Sequence, residues 1–167
     1  KEIETEPRPY GIKAAKDGTL WIAYNGTNKI GAMHPGTMAV KYFEIPNERS
    51  RVRRLDLDSK GKVWFVNSTL GKIGRLDPST GAIKQWDSPS GASSHPYALA
   101  VIDDVIWYNE SGMRPDALVR FNPESESFQS WAIPSGVGIV RNVWKTEAGN
   151  LLIHQSSSNQ IGLVKIN

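Results

Sequence analysis

Tryptophan recurs along this chain at an interval that no single helix or simple sheet explains. Trp21, Trp64 and Trp107 stand 43 residues apart, and Leu152 holds the same place 45 residues further on. Ile30, Ile73, Leu118 and Ile161 keep the same rhythm, each opening a short apolar segment: IGAM, IGRL, LVRF and IGLV. Pro35, Pro78 and Pro123 follow five residues after the first three of these, and Pro46, Pro89 and Pro134 close the units. Self-similarity at a period of roughly 20–50 residues marks a repeat architecture, in which each copy buries its apolar face only against a neighbour. Four copies result, at about 6–47, 48–91, 92–136 and an incomplete 137–167.

Within each copy the residues read as strands. PYGIKAA, RRLDLD and PYALAVI alternate or run apolar for a few positions, followed by the turns KDGT, SKGK and IDD. Aromatic segments come next (LWIAY, VWFVN, IWYNE, and LLIHQ in the last copy), then the Ile-Gly segment, a Pro-rich turn and a fourth strand. No stretch sustains a 3.6-residue period. Four short antiparallel strands per copy predict an all-β chain, a β-propeller of four blades. Three arrangements stay open: a complete small ring, part of a six- to seven-bladed ring, or two chains completing one ring. The fourth copy stops after its third strand, and residues 1–6 (KEIETE) could complete it.

The chain has 167 residues, enough for one compact domain, and its 39% hydrophobic and 22% charged residues exclude a disordered tail. No apolar run reaches the roughly 18 residues of a membrane-spanning helix, so no membrane insertion is expected. A net charge of +3 is too small to suggest nucleic acid. The absence of cysteine excludes disulfides, thiol catalysis and Cys-ligated metals. Beginning with Lys and showing no leader-like segment, the chain reads as a processed form or a piece of something longer. No P-loop, nucleophile elbow or His-rich metal spacing occurs. Sequons at Asn25, Asn67 and Asn109 fall at equivalent repeat positions and are explained by the repeat itself.

The units PYGI at 9–12, DGTLWIAYN at 17–25, NKIGAMHPGT at 28–37, KVWFVN at 62–67, GKIGRLDPSTG at 71–81, PYALAV at 96–101 and VIWYNESG at 105–112 resemble the streptogramin B lyase (virginiamycin B lyase) family of propellers. The resemblance spans the whole chain. It implies an eliminative ring opening of a cyclic depsipeptide or related ester, with a base removing a proton beside a carbonyl and a carboxylate-held Mg²⁺ stabilising the enolate-like charge. It further implies a bacterial, exported protein, periplasmic or extracellular, although the sequence leaves a cytoplasmic location open. The family's catalytic His slot at the start of an inner strand corresponds here to Tyr10, Arg53, Tyr97 and Arg141. Its Glu slot corresponds to Tyr24, Asn67, Glu110 and Gln155.

Two functions follow from this pattern. In the first, Glu110 and His95 supply acid–base or metal roles, while Tyr10, Arg53, Tyr97 and Arg141 hold the substrate at the channel mouth. In the second, a non-catalytic propeller binds a small anionic ligand or a protein partner through that same ring, joined by Arg54, or through a rim bearing Trp86 and Trp131. Each residue has a plainer reading. Glu110 would be a surface carboxylate or the ion-pair partner of Arg114, and His95 a loop imidazole. His154 would pack between blades, and His34 would be inert. The Tyr and Arg series would hold neighbouring blades together, with Glu110 or Asp56 balancing the arginines.

Overall fold

The computed structural model describes residues 2–135 and 140–166. Strands β1 (Pro9–Ala14), β2 (Leu20–Tyr24), β3 (Lys29–Met33) and β4 (Val40–Glu44) form the first antiparallel sheet, paired in that order. The second contains β5 (Val52–Leu57), β6 (Val63–Asn67), β7 (Lys72–Leu76) and β8 (Ile83–Asp87). The third contains β9 (Pro96–Ile102), β10 (Val105–Glu110), β11 (Ala117–Asn122) and β12 (Ser127–Ala132). The fourth has three strands, β13 (Val140–Lys145), β14 (Leu151–Gln155) and β15 (Gln160–Val164). The sheets are the four blades of a β-propeller. The boundary expected near 136–137 lies outside the described residues.

Each blade meanders outward from an inner strand, so every connection within it is a short hairpin. Asp103 and Asp104 both adopt positive φ (51° and 61°) between β9 and β10, the geometry of a two-residue turn that matches strand twist. The inner strands pack in sequence, β1 beside β5, β5 beside β9 and β9 beside β13.

The repeated tryptophans form the joints between blades. Trp21 packs with Val52, Leu55 and Phe65 of the second blade, Trp64 with Leu99, Tyr108 and Phe121 of the third, and Trp107 with Val143, Leu151 and Ile153 of the fourth. An aromatic on each blade's own outer strand backs the ring. Phe43 lies 5.7 Å from Trp21, Trp86 stacks at 5.5 Å on Trp64, and Trp131 at 6.0 Å on Trp107. Trp86 and Trp131 thus cover the core tryptophans.

The Ile-Gly segments have a steric origin. Phe65 on β6 sits opposite Gly74 on β7, and a Cβ on Gly74 would lie 2.2 Å from the Phe65 ring. Gly31 likewise makes room for the Tyr24 ring. The glycine lets a cross-strand aromatic lie flat on the sheet.

Residues 2–6 differ from expectation. They form no ladder with β15; they lie against the first blade. Ile3 packs on Ile22, Tyr24 and Met33, Thr5 hydrogen-bonds the Tyr24 and Tyr42 hydroxyls, and Glu6 pairs with Lys29 at 2.7 Å. Ile3 thereby takes the place on the first blade that Ile45 takes on the second and Ile133 on the fourth. Those two residues follow the outer strands of preceding blades.

Candidate functional site

Tyr10, Arg53, Tyr97 and Arg141 each occupy the second position of an inner strand. At that point the pairing with the next strand slips in all four blades: between Pro9 and Gly11, between Val52 and Leu55, opposite Tyr108 and Glu110, and between Val140 and Asn142. A bulge removes a residue from the ladder and re-aims its side chain. Four bulges at the same register turn two phenols and two guanidiniums toward one end of the axis. In the second blade the bulge leaves both Arg53 and Arg54 out of the ladder. Asn109 supports the third, its side-chain oxygen accepting the Ala98 N–H at 2.8 Å.

The side chains meet. The Tyr10 and Tyr97 hydroxyls are hydrogen-bonded, with the rings edge to face and their centroids 6.3 Å apart. Arg141 donates to the Tyr97 oxygen at 3.1 Å. The Arg53 guanidinium stands 4.7 Å from the Tyr97 ring centre and 5.8 Å from that of Tyr10, while Arg54 stands 4.8 Å from Tyr10. Arg53 also donates to Ser68 Oγ, and Arg54 to the Tyr10 carbonyl. Among the described residues, Arg53, Arg54 and Arg141 make no ion pair. Beyond the cluster the axis opens into a cavity of about 500 Å³ lined from all four inner strands, by Tyr10, Arg54, Asp56, Ala100 and Asn142 among others.

Burial alone would raise the Tyr97 phenol. The hydrogen bonds from Tyr10 and Arg141, with the charges of Arg141 and Arg53, outweigh it and hold the group below the ordinary tyrosine value.

Several expected residues fall elsewhere. Glu110 is neither a surface carboxylate nor the partner of Arg114. It is 1% exposed, its Oε1 accepting Ser88 Oγ at 2.5 Å and the Ser90 N–H at 3.0 Å, and its Oε2 accepting Ser90 Oγ. It ties the link between second and third blades to β10. The site of Arg114's ion pair is Asp116, at 3.1 Å. Asp56 does not balance the arginines. It pairs with Lys13 at 2.7 Å and accepts the Val101 N–H, linking three inner strands.

His95 is exposed and ends the short 3₁₀ turn Gly91–Ser94 with φ 44°; no described contact joins it to the tyrosines. His154, expected between blades, points away from Gln155 but is exposed, because no described residue covers the blade face it stands on. His34 is exposed in its turn, and Asn67 and Asn109 are fully buried.

The Mg²⁺ implied by the resemblance does not fit these residues. Both Glu110 oxygens are taken by serine donors, and among the described residues no three His, Asp or Glu side chains gather as a ligand set.

The missed signal is the bulge. It needs only one residue more on the inner strand than on its partner, and nothing in residue type announces it, so the sequence placed the ring at the channel mouth but not the bulges that aim its side chains.

Antiparallel sheets set around an axis, inner strands innermost and a side-chain ring at one mouth, define a β-propeller with a channel-end site. The chain belongs to the Virginiamycin B lyase family, whose model matches residues 2–167. Among solved structures it is similar to a streptogramin B lyase, at 24% identity and a TM-score of 0.84, covering 94% of this chain and 51% of that one. The virginiamycin B lyase of Staphylococcus aureus is similar at 24% identity and a TM-score of 0.78, with 95% and 56% covered. The extracellular domain of a putative hybrid two-component system from B. thetaiotaomicron shares the fold at 15% identity and a TM-score of 0.70, with 95% and 22% covered. The chain thus spans about half the length of the lyases it matches. No curated protein matches it.

Proposed function

We propose that the channel mouth binds a small anionic ligand, a carboxylate or an ester carbonyl with a neighbouring negative group, through Arg53, Arg54, Arg141, Tyr10 and Tyr97. The observation that carries this reading is the gathering of three guanidiniums around one phenol pair with no ion-pair partner among the described residues. Two like charges roughly 6 Å apart repel by about 0.7 kcal/mol in water and about 3 kcal/mol at an effective dielectric of 20. An anion reverses the sign of that term, and guanidinium forks match carboxylate geometry. The test is calorimetric titration with succinate and with its neutral dimethyl ester. Succinate binds and the ester does not, and Arg53→Gln or Arg141→Gln weakens binding about tenfold or more. Equal affinity for the acid and the ester overturns the reading.

Ring opening of a streptogramin B is the second reading, favoured by membership of the family and by the Tyr97 phenol. Here Tyr97, flanked by Arg141, accepts the proton, and the arginines polarise the carbonyl; Glu110 and His95 stand apart from the cluster. Incubation with a streptogramin B antibiotic followed by chromatography tests it, since elimination linearises the ring without changing its mass. Loss of turnover in Tyr97→Phe supports it, and absence of turnover in the parent chain rejects it. An exported setting accords with both readings and with the extracellular domain that shares the fold.

A further inference from the structure

Asn25-Gly26 is the one Asn-Gly pair in the sequence, and it stands on the rim of the arginine ring. Its repeat counterparts are serines, Ser68, Ser111 and Ser156, at the spacing the tryptophans keep. The backbone arrangement is shared by the first three blades: the N–H groups of Asn25, Ser68 and Ser111 donate to the carbonyls of Arg8, Arg51 and His95. Ser68 Oγ accepts Arg53 Nε at 3.1 Å. Asn25 approaches the same segment from the first blade, its Nδ2 donating to the carbonyl of Val52, the residue before Arg53. That bond is 3.4 Å long, beyond the usual N–H···O range, so the side chain is held loosely. Asn25 is half-buried in the link between β2 and β3, whereas Asn67 and Asn109 are fully buried.

Gly26 is required by packing, since a Cβ on it would lie 2.6 Å from the Pro7 carbonyl oxygen. Among the described residues nothing accepts its N–H. An unbonded amide nitrogen with no Cβ beside it thus follows a loosely held carboxamide, the arrangement from which a five-membered ring closes.

We propose that Asn25 deamidates through Gly26, and that the carboxylate formed gives Arg53 an acidic neighbour and weakens anion binding at the mouth. The Gly26 nitrogen attacks Asn25 Cγ, and the Cγ–Nδ2 bond breaks. Ammonia departs with the proton that Gly26 loses, leaving a succinimide. One water opens that ring at either carbonyl, to aspartate or to isoaspartate. The sum is carboxamide plus water to carboxylic acid plus ammonia, and no oxidant or reductant enters. The acid is ionised at neutral pH. An oxygen where Nδ2 stood is repelled by the Val52 carbonyl, and the two segments that Asn25 touches carry the cations Arg8 and Arg53. The effect on binding rests on the anion reading of the mouth; the deamidation does not.

The chain is held at mildly alkaline pH for days, then digested and analysed by mass spectrometry beside the Asn25→Gln chain. The Asn25 peptide is expected to gain the amide-to-acid mass difference and to split into two chromatographic species, and the variant to give neither. The aged chain and Asn25→Asp then bind succinate about fivefold more weakly, the worth of one exposed ion pair, while Asn25→Gln binds as the fresh chain does. Their Tyr97 phenol, which the Arg53 charge helps to lower, ionises at higher pH than in the fresh chain. Asn25 left intact over a time in which the urea-unfolded chain converts overturns the proposal. So does conversion that moves neither succinate affinity nor the Tyr97 step. A fresh chain that binds no succinate overturns the anion reading and the weakening that rests on it, and the mass and Tyr97 readouts still decide whether the acid forms and reaches Arg53.

Discussion

Tyr10 and Tyr97 lie 87 positions apart and two blades distant, yet their phenol oxygens share a hydrogen bond at the channel mouth. The Tyr97 oxygen also receives Arg141. An oxygen that accepts two donors is stabilised as the anion, which makes this pair a reporter of the whole ring.

The first prediction concerns titration. Ultraviolet absorbance at 295 nm should show one tyrosine ionising ahead of the rest, and Tyr97→Phe should remove that early step. Tyr108 should ionise last, because burial, and after it the Glu110 charge, raise its phenol despite the Ser88 hydrogen bond. The sign for Tyr97 follows from linkage: a phenol lowered in the fold adds stability as pH rises from its folded value toward that of the unfolded chain. Succinate affinity should fall over the same window, since a phenolate cancels one guanidinium.

Glu110→Gln should weaken the fold rather than the site. The amide presents an N–H₂ to serine donors and loses charge-assisted hydrogen bonds, at about 2–3 kcal/mol. Urea unfolding should show that loss, with succinate affinity unchanged within twofold.

Asp56→Ala should cost about 2 kcal/mol by the same measurement. The carboxylate holds the Val101 N–H from the third blade and Lys13 from the first, and removing it strands both. Asp56→Asn should recover part of the loss by keeping the acceptor for Val101.

Gly74→Ala places a methyl against the Phe65 ring, which is fully buried and has no free side to retreat into. About 1–3 kcal/mol of destabilisation is expected. The double variant Gly74→Ala, Phe65→Leu should recover much of it, which thermal unfolding can check.

Much of this was legible beforehand for a definite reason. Trp21, Trp64 and Trp107 repeat because each must fill the same joint, so the joint writes itself into the period. The strand order and the short fourth blade follow from the same count. The alignment of Tyr10, Arg53, Tyr97 and Arg141 was readable from spacing as well. Glu110 was misjudged because a carboxylate's partners, here Ser88 and Ser90 from the previous blade's exit, are chosen by how the link folds back. His154 was misjudged because alternation gives a side but not whether anything covers it.

The sequence by itself determined the blade, its joint residues and the ring positions, since all of these obey a local period that a chain repeats whatever surrounds it. Tertiary structure alone decided that a bulge sits at each of those ring positions, that the three arginines gather with no ion-pair partner among the described residues, and that Ile161 and Ile12 are exposed where their counterparts are buried. Each of these depends on which blade stands beside which, and proximity between residues some 40 to 130 positions apart is set by packing the joints, not by any local preference of the chain.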